Sequence, residues 1–403
     1  MDEQNMQPIE PKTGGNAAKW IIGIIVLALI VWAVMASKKK NAGQQATNTN
    51  TNQTASDTYK IGVLLPLTGD AGSYGEVEKD VYQIGVDEIN NSGGVNGKKL
   101  ELVIEDSKCN GKDATNAAQK LVNENKVQVI IGGFCSGESL AGIPVAAPAK
   151  VIMASPGSSS PKLTNASPYF FRDFPSDDSQ ASLDAQIANK KGFKKVAFIQ
   201  EQTDYAKALY DAFDKKFTEL GGQTVKEEFV TGNTDFKTQL TKLRAQNPEA
   251  LFLDTQTSGV NGRIFRQLKD LGWKPQLFIN EAMAGDIKAL ADNKELLEGA
   301  IGAEFTVDAA NTKFSMLAAK YKEKYGKDLS YGSYAQTGYD LVYIFKDGIT
   351  AVGYDGEKLA AWSRTIKNWE GASGKITIKP DGDRESGYSS EMVKDGKMVP
   401  YTQ

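Results

Sequence analysis

KIGVLLPLTGDAGSYGEVEKDVYQIGVDEIN, residues 60–90, is the stretch that decides the fold class. Its first six residues form a largely apolar run of strand length, and a glycine-rich turn comes shortly after them. Val77, Val81 and Ile84 then recur at helical spacing, which predicts a helix over residues 75–90. The stretch therefore predicts a strand, a turn and a helix in that order.

The same alternation continues along the rest of the chain. Further apolar runs predict strands, and runs with helical spacing lie between them. The predicted strands include residues 100–104, 127–131, 195–200 and 250–253. Strands that alternate with helices predict parallel sheets covered on both faces, so the fold class is α/β. In such sheets, ligands bind beyond the carboxyl ends of the strands.

Length and composition limit the classes of function that the protein can have. A chain of 403 residues exceeds a usual single domain, which favours two globular lobes. The net charge is −3 with both signs interspersed, so nucleic acid is not an expected partner. Histidine is absent, which excludes Ser-His-Asp and Cys-His catalysis and removes the commonest zinc ligand. With no Walker loop or Gly-x-Gly-x-x-Gly fingerprint, we expect no enzyme activity, no cofactor and no metal site.

The N-terminal region predicts attachment to a membrane. Residues 20–36, WIIGIIVLALIVWAVMA, carry no charge, and their number is at the lower limit for a membrane-spanning helix. A retained anchor competes with a cleaved signal peptide, and the length of the run favours the anchor. Residues 1–19 form a short tail and residues 37–58 a flexible polar linker in this interpretation. The folded part would lie on the extracytoplasmic face of the membrane, or be secreted if the helix is cleaved.

Small polar residues fill the turns after the predicted strands. Ser136 follows one strand, and Ser160-Pro161, a helix-start signature, follows the next. Free N–H groups at helix starts suit a carboxylate, although such serines also serve simply as helix caps. Glu281 follows a further strand. A lone glutamate in a loop is commonly solvated, but this one is suited to an ammonium group.

Five segments, in order along the chain, resemble the branched-chain amino acid (Leu/Ile/Val) type of periplasmic binding protein, the type I solute receptors of ABC transporters. They are IGVLLPLTGDAGSYGE (61–76), VDEINNSGGVNGKKLELVIEDSKC (86–109), ASPGSSSPKLT (154–164), RIFRQLKDLGWKPQLFINE (263–281) and TGYDLVYIFKDGI (337–349). The resemblance implies two lobes, each with a doubly wound parallel sheet, joined by three crossovers. The first lobe would comprise residues 59–177 and 306–386, and the second residues 178–305 and 387–403.

The resemblance also implies a ligand site of six residues. They are Tyr74, Ser136, Gly157, Ser159, Tyr205 and Glu281. The serines and the glycine match positions that bind the carboxylate and α-amino groups of an amino acid. The two tyrosines match aromatic residues beside the ligand, one from each lobe, and the glutamate matches the partner of the α-ammonium group.

Two departures from the family pattern concern the second lobe. Ala206 follows Tyr205 where the family often has glycine, and the polar residues 254–258 stand where glycines and aromatics are usual. Buried polar atoms without partners are costly, so these residues make strict specificity for Leu, Ile or Val doubtful. A more polar amino acid or an amide-like solute is the alternative.

The two cysteines, Cys109 and Cys135, leave two readings open on the sequence alone. They are either buried thiols or, in an oxidising compartment, a disulfide pair. The resemblance implies the disulfide, because some members of the family pair cysteines at the matching positions.

The expected function is therefore the extracytoplasmic solute-binding component of an ABC importer, which closes its lobes around an amino acid or a related amide-like solute. Its expected partners are that small molecule, an ABC permease and, through the N-terminal helix, the membrane. The alternative is a ligand-sensing receptor domain of the same fold. An enzyme on a doubly wound fold is disfavoured by the absence of histidine and of nucleotide motifs.

Overall fold

The computed structural model describes residues 58–305 and 307–402. The predicted tail, the predicted membrane helix and the predicted linker up to residue 57 lie outside the described residues. Within the described ranges, no helix is both long and apolar enough to cross a bilayer. The first strand begins at Thr58, one residue earlier than the predicted start of the folded part.

The first sheet has five strands, all parallel. They are β1 (Thr58–Leu65), β2 (Lys99–Asp106), β3 (Val129–Gly132), β4 (Ile152–Ser155) and β5 (Phe170–Arg172), in the spatial order β2-β1-β3-β4-β5. The three inner strands consist largely of buried residues, because helices cover both faces of a parallel sheet. The parallel sheet predicted from the alternation is therefore present.

The second sheet begins with five further parallel strands. They are β6 (Lys195–Glu201), β7 (Gln223–Phe229), β8 (Ala250–Asp254), β9 (Gln276–Ile279) and β10 (Ile301–Glu304). A separate antiparallel pair follows, β11 (Trp369–Gly371) and β12 (Gly374–Ile376). Two antiparallel strands, β13 (Ser389–Lys394) and β14 (Lys397–Pro400), complete the order β14-β13-β10-β9-β8-β6-β7.

The second sheet is thus mixed, whereas the prediction was a parallel sheet. The difference has a local cause at the turn between β13 and β14. Asp395 and Gly396 both have positive φ angles, 51° and 75°, as a two-residue hairpin turn requires. A turn this short can join only antiparallel strands, because a parallel connection needs a dozen residues or more.

Helices cover the two sheets. Their bounds are Gly72–Asn91, Gly111–Asn123, Ser136–Ala146, Asp177–Lys190, Asp204–Glu219, Lys237–Ala245, Ser258–Asp270, Glu281–Ala284, Ile287–Asp292, Lys294–Leu297, Thr312–Tyr325, Gly332–Val352 and Gly356–Ser363, with a 3₁₀ turn at Pro161–Leu163. The first of them starts three residues before the predicted helix at residue 75. Its apolar face is the predicted one, since Val77, Val81 and Ile84 are all buried.

The hydrophobic cores divide the described chain into two halves. In the first half, the first sheet packs with helices Gly72–Asn91, Thr312–Tyr325 and Gly332–Val352. In the second half, two clusters cover the two faces of the second sheet, and the rings of Phe198, Phe252 and Phe278 stack across three neighbouring strands. The chain passes between the halves after β5, after β10 and before β13, which agrees with the three crossovers that were expected.

Candidate functional site

All six residues predicted to bind the ligand line one cavity, which we call the central cavity. Its lining is Tyr74, Phe134, Cys135, Ser136, Gly157, Ser159, Tyr205, Gln256, Glu281, Ala282 and Tyr334. These residues follow the carboxyl ends of strands in both sheets or begin a helix beside them, as expected for an α/β fold. The cavity volume is only about 10 Å³, room for about one water molecule. An amino acid therefore requires the two halves to lie further apart than in this structure, both when it enters and when it is bound.

The first half contributes a serine-rich loop that a buried arginine holds in place. Arg172 is fully buried and pairs with Asp383 at 2.8 Å. Its guanidinium also donates to the backbone carbonyls of Ser158 and Ser160, at 3.3 and 2.9 Å. Because five guanidinium donors have a fixed geometry, these bonds fix the loop that carries Ser159. Sequence reasoning missed this positioning residue, since Asp383 lies far away in the sequence.

Ser136 starts the next helix of the first half, beside the loop. Its hydroxyl accepts a hydrogen bond from the backbone N–H of Ser160 at 3.2 Å. The disulfide predicted by resemblance is present between Cys109 and Cys135, whose Cα atoms lie 5.4 Å apart. Both cysteine N–H groups donate to the carboxylate of Glu138, at 2.8 and 2.9 Å. This arrangement orients the helix start, and burial raises the pKa of Glu138 to about 7.

Tyr74 connects the two halves. Its hydroxyl donates to the carbonyl of Ala282 at 3.2 Å and accepts from the N–H of Ser258 at 3.3 Å, both in the second half. Its ring stacks on Phe134 at a centroid distance of 5.2 Å and meets the edge of Tyr334. The predicted aromatic wall is therefore a cluster of three rings, two of which sequence reasoning did not include.

Glu281 and Tyr205 form the wall of the second half. Glu281 follows β9 at the start of a short helix, and Asn280 caps that helix through the N–H of Met283. The Tyr205 hydroxyl donates to Oε2 of Glu281 at 2.8 Å. Burial raises the pKa of Glu281 to about 7, although the bond from Tyr205 opposes the rise. A modest favourable interaction is therefore enough to ionise Glu281 near neutral pH.

Further buried acids surround Glu281. Burial, and next the charge of Glu281, raise the pKa values of Asp177 and Asp184 well above their ordinary range. Burial does the same for Asp254, whose carboxylate accepts from Gln200 at 3.0 Å. These shifts favour the protonated forms of the three aspartates. Glu281 is thus the carboxyl of the central cavity best placed to carry negative charge.

The polar segment 254–258 was expected to meet the ligand. Only Gln256 of that segment lines the central cavity in the structure. Asp254 turns to Gln200, and the Thr255 hydroxyl lies 2.9 Å from Oδ1 of Asn261. Asp254 and Thr255 thus find hydrogen-bond partners away from the ligand, which weakens the argument against an aliphatic ligand. The amide of Gln256 remains in the cavity wall.

Contacts across the cleft hold the halves together around the cavity. Arg263 pairs with Asp70 at 3.1 Å on one side, and Lys162 pairs with Asp204 at 3.3 Å on another. Together with the bonds of Tyr74, they describe a closed arrangement. Exposed ion pairs contribute little stability, so these contacts restrain the closed form without locking it.

A comparison with known proteins identifies the family. The sequence profile of the periplasmic binding proteins matches residues 58–396, most of the chain. The chain belongs to the periplasmic binding protein family. This periplasmic binding protein is 28% identical to the Leu/Ile/Val-binding protein BraC3 of Rhizobium johnstonii, over 84% of this chain and 92% of the relative.

Two further relatives agree. A leucine-, isoleucine-, valine-, threonine- and alanine-binding protein of Pseudomonas aeruginosa is 27% identical over 82% of this periplasmic binding protein and 88% of its own length. Among solved structures, the leucine-binding protein LivK of Thermotoga maritima is 32% identical, with a TM-score of 0.77. That match covers 85% of this chain and 98% of LivK, so the fold is shared over most of the chain.

Proposed function

We propose that this protein is the extracytoplasmic solute-binding component of an ABC importer that closes its two lobes around an amino acid. One observation carries the proposal: serine hydroxyls from one half and the Glu281–Tyr205 pair from the other meet at one closed cavity. The lobes would be residues 59–177 with 306–386, and residues 178–305 with 387–403. The names of the relatives support this function.

Binding follows from the charges of a zwitterion. The α-carboxylate would accept hydrogen bonds from the hydroxyls of Ser136 and Ser159 and from N–H groups of the loop around Gly157. The α-ammonium would face Glu281 and favour its ionised form. The first half offers donors for the carboxylate, and the second half offers Glu281 for the ammonium. Because only a closed form presents both, the ligand binds it better than the open form and shifts the protein towards it.

The side chain of the ligand would lie among the rings of Tyr74, Phe134 and Tyr334, near the amide of Gln256. The rings suit an aliphatic side chain, and the amide accepts a hydroxyl or a second amide. We therefore propose an aliphatic or small polar amino acid. For attachment, we propose that residues 20–36 anchor the protein in the cell membrane.

Isothermal titration of the full chain with leucine, isoleucine, valine, threonine, alanine and glutamine tests the proposal. A further titrant, 4-methylpentanoate, lacks the ammonium of leucine. We expect binding of at least one of the amino acids and loss of most of the affinity for 4-methylpentanoate.

The decisive variant is Glu281→Gln, which keeps the shape and removes the charge. Loss of a buried charge partner typically costs about 2–5 kcal/mol, so affinity should fall about 30-fold or more. Glu295→Gln makes the same change at an exposed position and should leave affinity unchanged. Equal affinity for Glu281→Gln and the unmodified chain would refute the ammonium site.

A further inference from the structure

A second cavity lies beside the central one and is far larger, about 560 Å³. It opens between the halves. Phe314, Ala318 and Leu329 line it from the first half, and Glu304 and Met398 line it from the second half. None of these residues contributes to the central cavity. Its size falls within the range of small-molecule sites in proteins.

The second cavity combines a largely apolar body with two buried acidic side chains, Glu304 and Glu391, and with the ion pair of Lys322 and Asp328. Phe314, Ala318, Leu329 and Met398 supply the apolar surface. Glu304 is 7% exposed, and its Oε2 has no hydrogen-bond partner within residues 58–305 and 307–402. A buried polar atom without a partner is rare and costly in a native structure. The carboxyl group that carries this unpaired oxygen lines the cavity, so a donor group of a ligand there would complement it once the carboxyl turns towards the cavity.

We propose that the second cavity binds a small organic cation, with a primary ammonium head at Glu304 and an aliphatic body against the apolar wall. A divalent metal ion fits less well, because hard cations prefer six or more oxygen ligands and this wall is mostly apolar. An anion is disfavoured, because Glu391 lines the same cavity beside Glu304, and because the lysine in the lining, Lys322, is already paired with Asp328 at 2.9 Å.

The electrostatics of Glu304 predict how binding depends on pH. Burial raises the pKa of Glu304 well above its ordinary range, and the charges of Glu281 and Glu391 raise it further, whereas the nearby Ser333 hydroxyl opposes the rise. An ammonium head favours the ionised form. Binding of the cation therefore releases a proton, and the affinity for the cation should increase with pH until Glu304 is fully ionised.

The two cavities share two walls, which predicts that they are coupled. The short helix Glu281–Ala284 gives Glu281 to the central cavity and Ala284 to the second. The helix that begins at Gly332 gives Tyr334 to the central cavity and Ser333 to the second. Because the cation would contact both halves, as the amino acid does, it should favour their approach and so increase amino acid affinity. This coupling, unlike the site itself, rests on the proposed function.

Thermal unfolding of the full chain with n-butylammonium chloride at pH 8 tests the site. We expect the Tm to rise in a saturable manner with n-butylammonium, but not with n-butanol, which has the same body without the charge. Glu304→Gln should weaken n-butylammonium binding at least about tenfold, while Glu295→Gln should leave it unchanged. The proposal would be overturned if n-butanol raised the Tm as much as n-butylammonium does. It would also be overturned if n-butylammonium raised the Tm of Glu304→Gln as much as that of the unmodified chain.

A second variant tests the site independently if Glu304→Gln does not fold. Ala318→Leu fills the apolar wall, so it should also abolish the n-butylammonium shift while the variant unfolds cooperatively. Retention of the full shift in Ala318→Leu contradicts the site.

Titration of an amino acid that binds, with and without saturating n-butylammonium, tests the coupling. An increase in amino acid affinity of about fivefold or more, the lower end of typical couplings, supports it, and an unchanged affinity refutes it. If none of the six amino acids binds, the proposed function fails, while the n-butylammonium arm still decides the second site.

Discussion

The short helix Glu281–Ala284 contributes to the walls of both the central and the second cavity, yet the glutamates of the two cavities have different surroundings. In the central cavity, Glu281 receives a hydrogen bond from Tyr205 and faces hydroxyl groups of the opposite half. In the second cavity, Oε2 of Glu304 has no such donor within the described residues, and the opposite wall is mostly apolar, apart from the paired Lys322 and Asp328 and from Ser333. The first arrangement suits a zwitterion with two charges, whereas the second suits a single cation with an aliphatic body.

The largest effect should come from the disulfide, which supports only the central cavity. Cys109→Ser combined with Cys135→Ser should lower the free energy of unfolding by about 3–4 kcal/mol, because the unfolded chain gains the entropy of an open loop. Urea unfolding measures this change. Amino acid affinity should also fall, since Cys135 precedes Ser136, while the n-butylammonium shift should persist. If the variant lost binding of both the amino acid and n-butylammonium, the disulfide would support both cavities and not only the central one.

Tyr205→Phe should have the next largest effect. It removes the 2.8 Å bond to Glu281 without changing the ring. A hydrogen bond to a charged group contributes about 1.5–3 kcal/mol, so amino acid affinity should fall about 10- to 100-fold. Titration calorimetry measures the change, with Tyr210→Phe, whose hydroxyl bonds Thr224 outside both cavities, as the matched control. An unchanged affinity would mean that Glu281 binds the ligand without help from the Tyr205 hydroxyl.

Amino acid affinity should depend on pH through Glu281. Its pKa is about 7 in the unliganded protein, and the ligand ammonium requires the ionised form, so binding at lower pH must first remove a proton. Affinity should rise about tenfold from about pH 6 to about pH 8 and then level off. Calorimetry at several pH values measures this rise, and its absence would contradict the assignment.

Glu281 should also make the stability of the unliganded protein depend on pH, in the opposite direction to the amino acid affinity. A folded-state pKa raised from 4.5 to about 7 means that the folded chain holds its proton more tightly than the unfolded chain. The contribution of Glu281 to the free energy of unfolding therefore falls as pH rises from about 4.5 to about 7. In Glu281→Gln this contribution should vanish, which urea unfolding at several pH values would reveal.

Glu304→Gln should have the smallest effect without added cation. The amide replaces a carboxyl that burial already holds towards its neutral form, so stability should change by about 0.5 kcal/mol or less at acidic pH and rise slightly at alkaline pH. Amino acid affinity should stay within about twofold. A large loss of amino acid binding would mean that the two cavities form one site.

The sequence predicted the alternation of strands and helices, because apolar spacing reports which face of each element is buried. It also predicted, through resemblance, the six residues that the structure brings together. It could not predict Arg172 as the support of the serine loop, because the pairing with Asp383 spans more than two hundred residues. Nor could it show that Asp254 turns away from the cavity, since its partner Gln200 lies on a neighbouring strand.

The sequence by itself thus determined the α/β class and the residue types at the strand ends, since both depend on local order along the chain. The tertiary structure decided the antiparallel end of the second sheet, the closed central cavity and the whole second cavity. Residues 304, 314, 329 and 398 meet there only because the chain crosses between the halves. Contacts between residues so distant in sequence depend on the packing of whole elements, which local spacing does not encode.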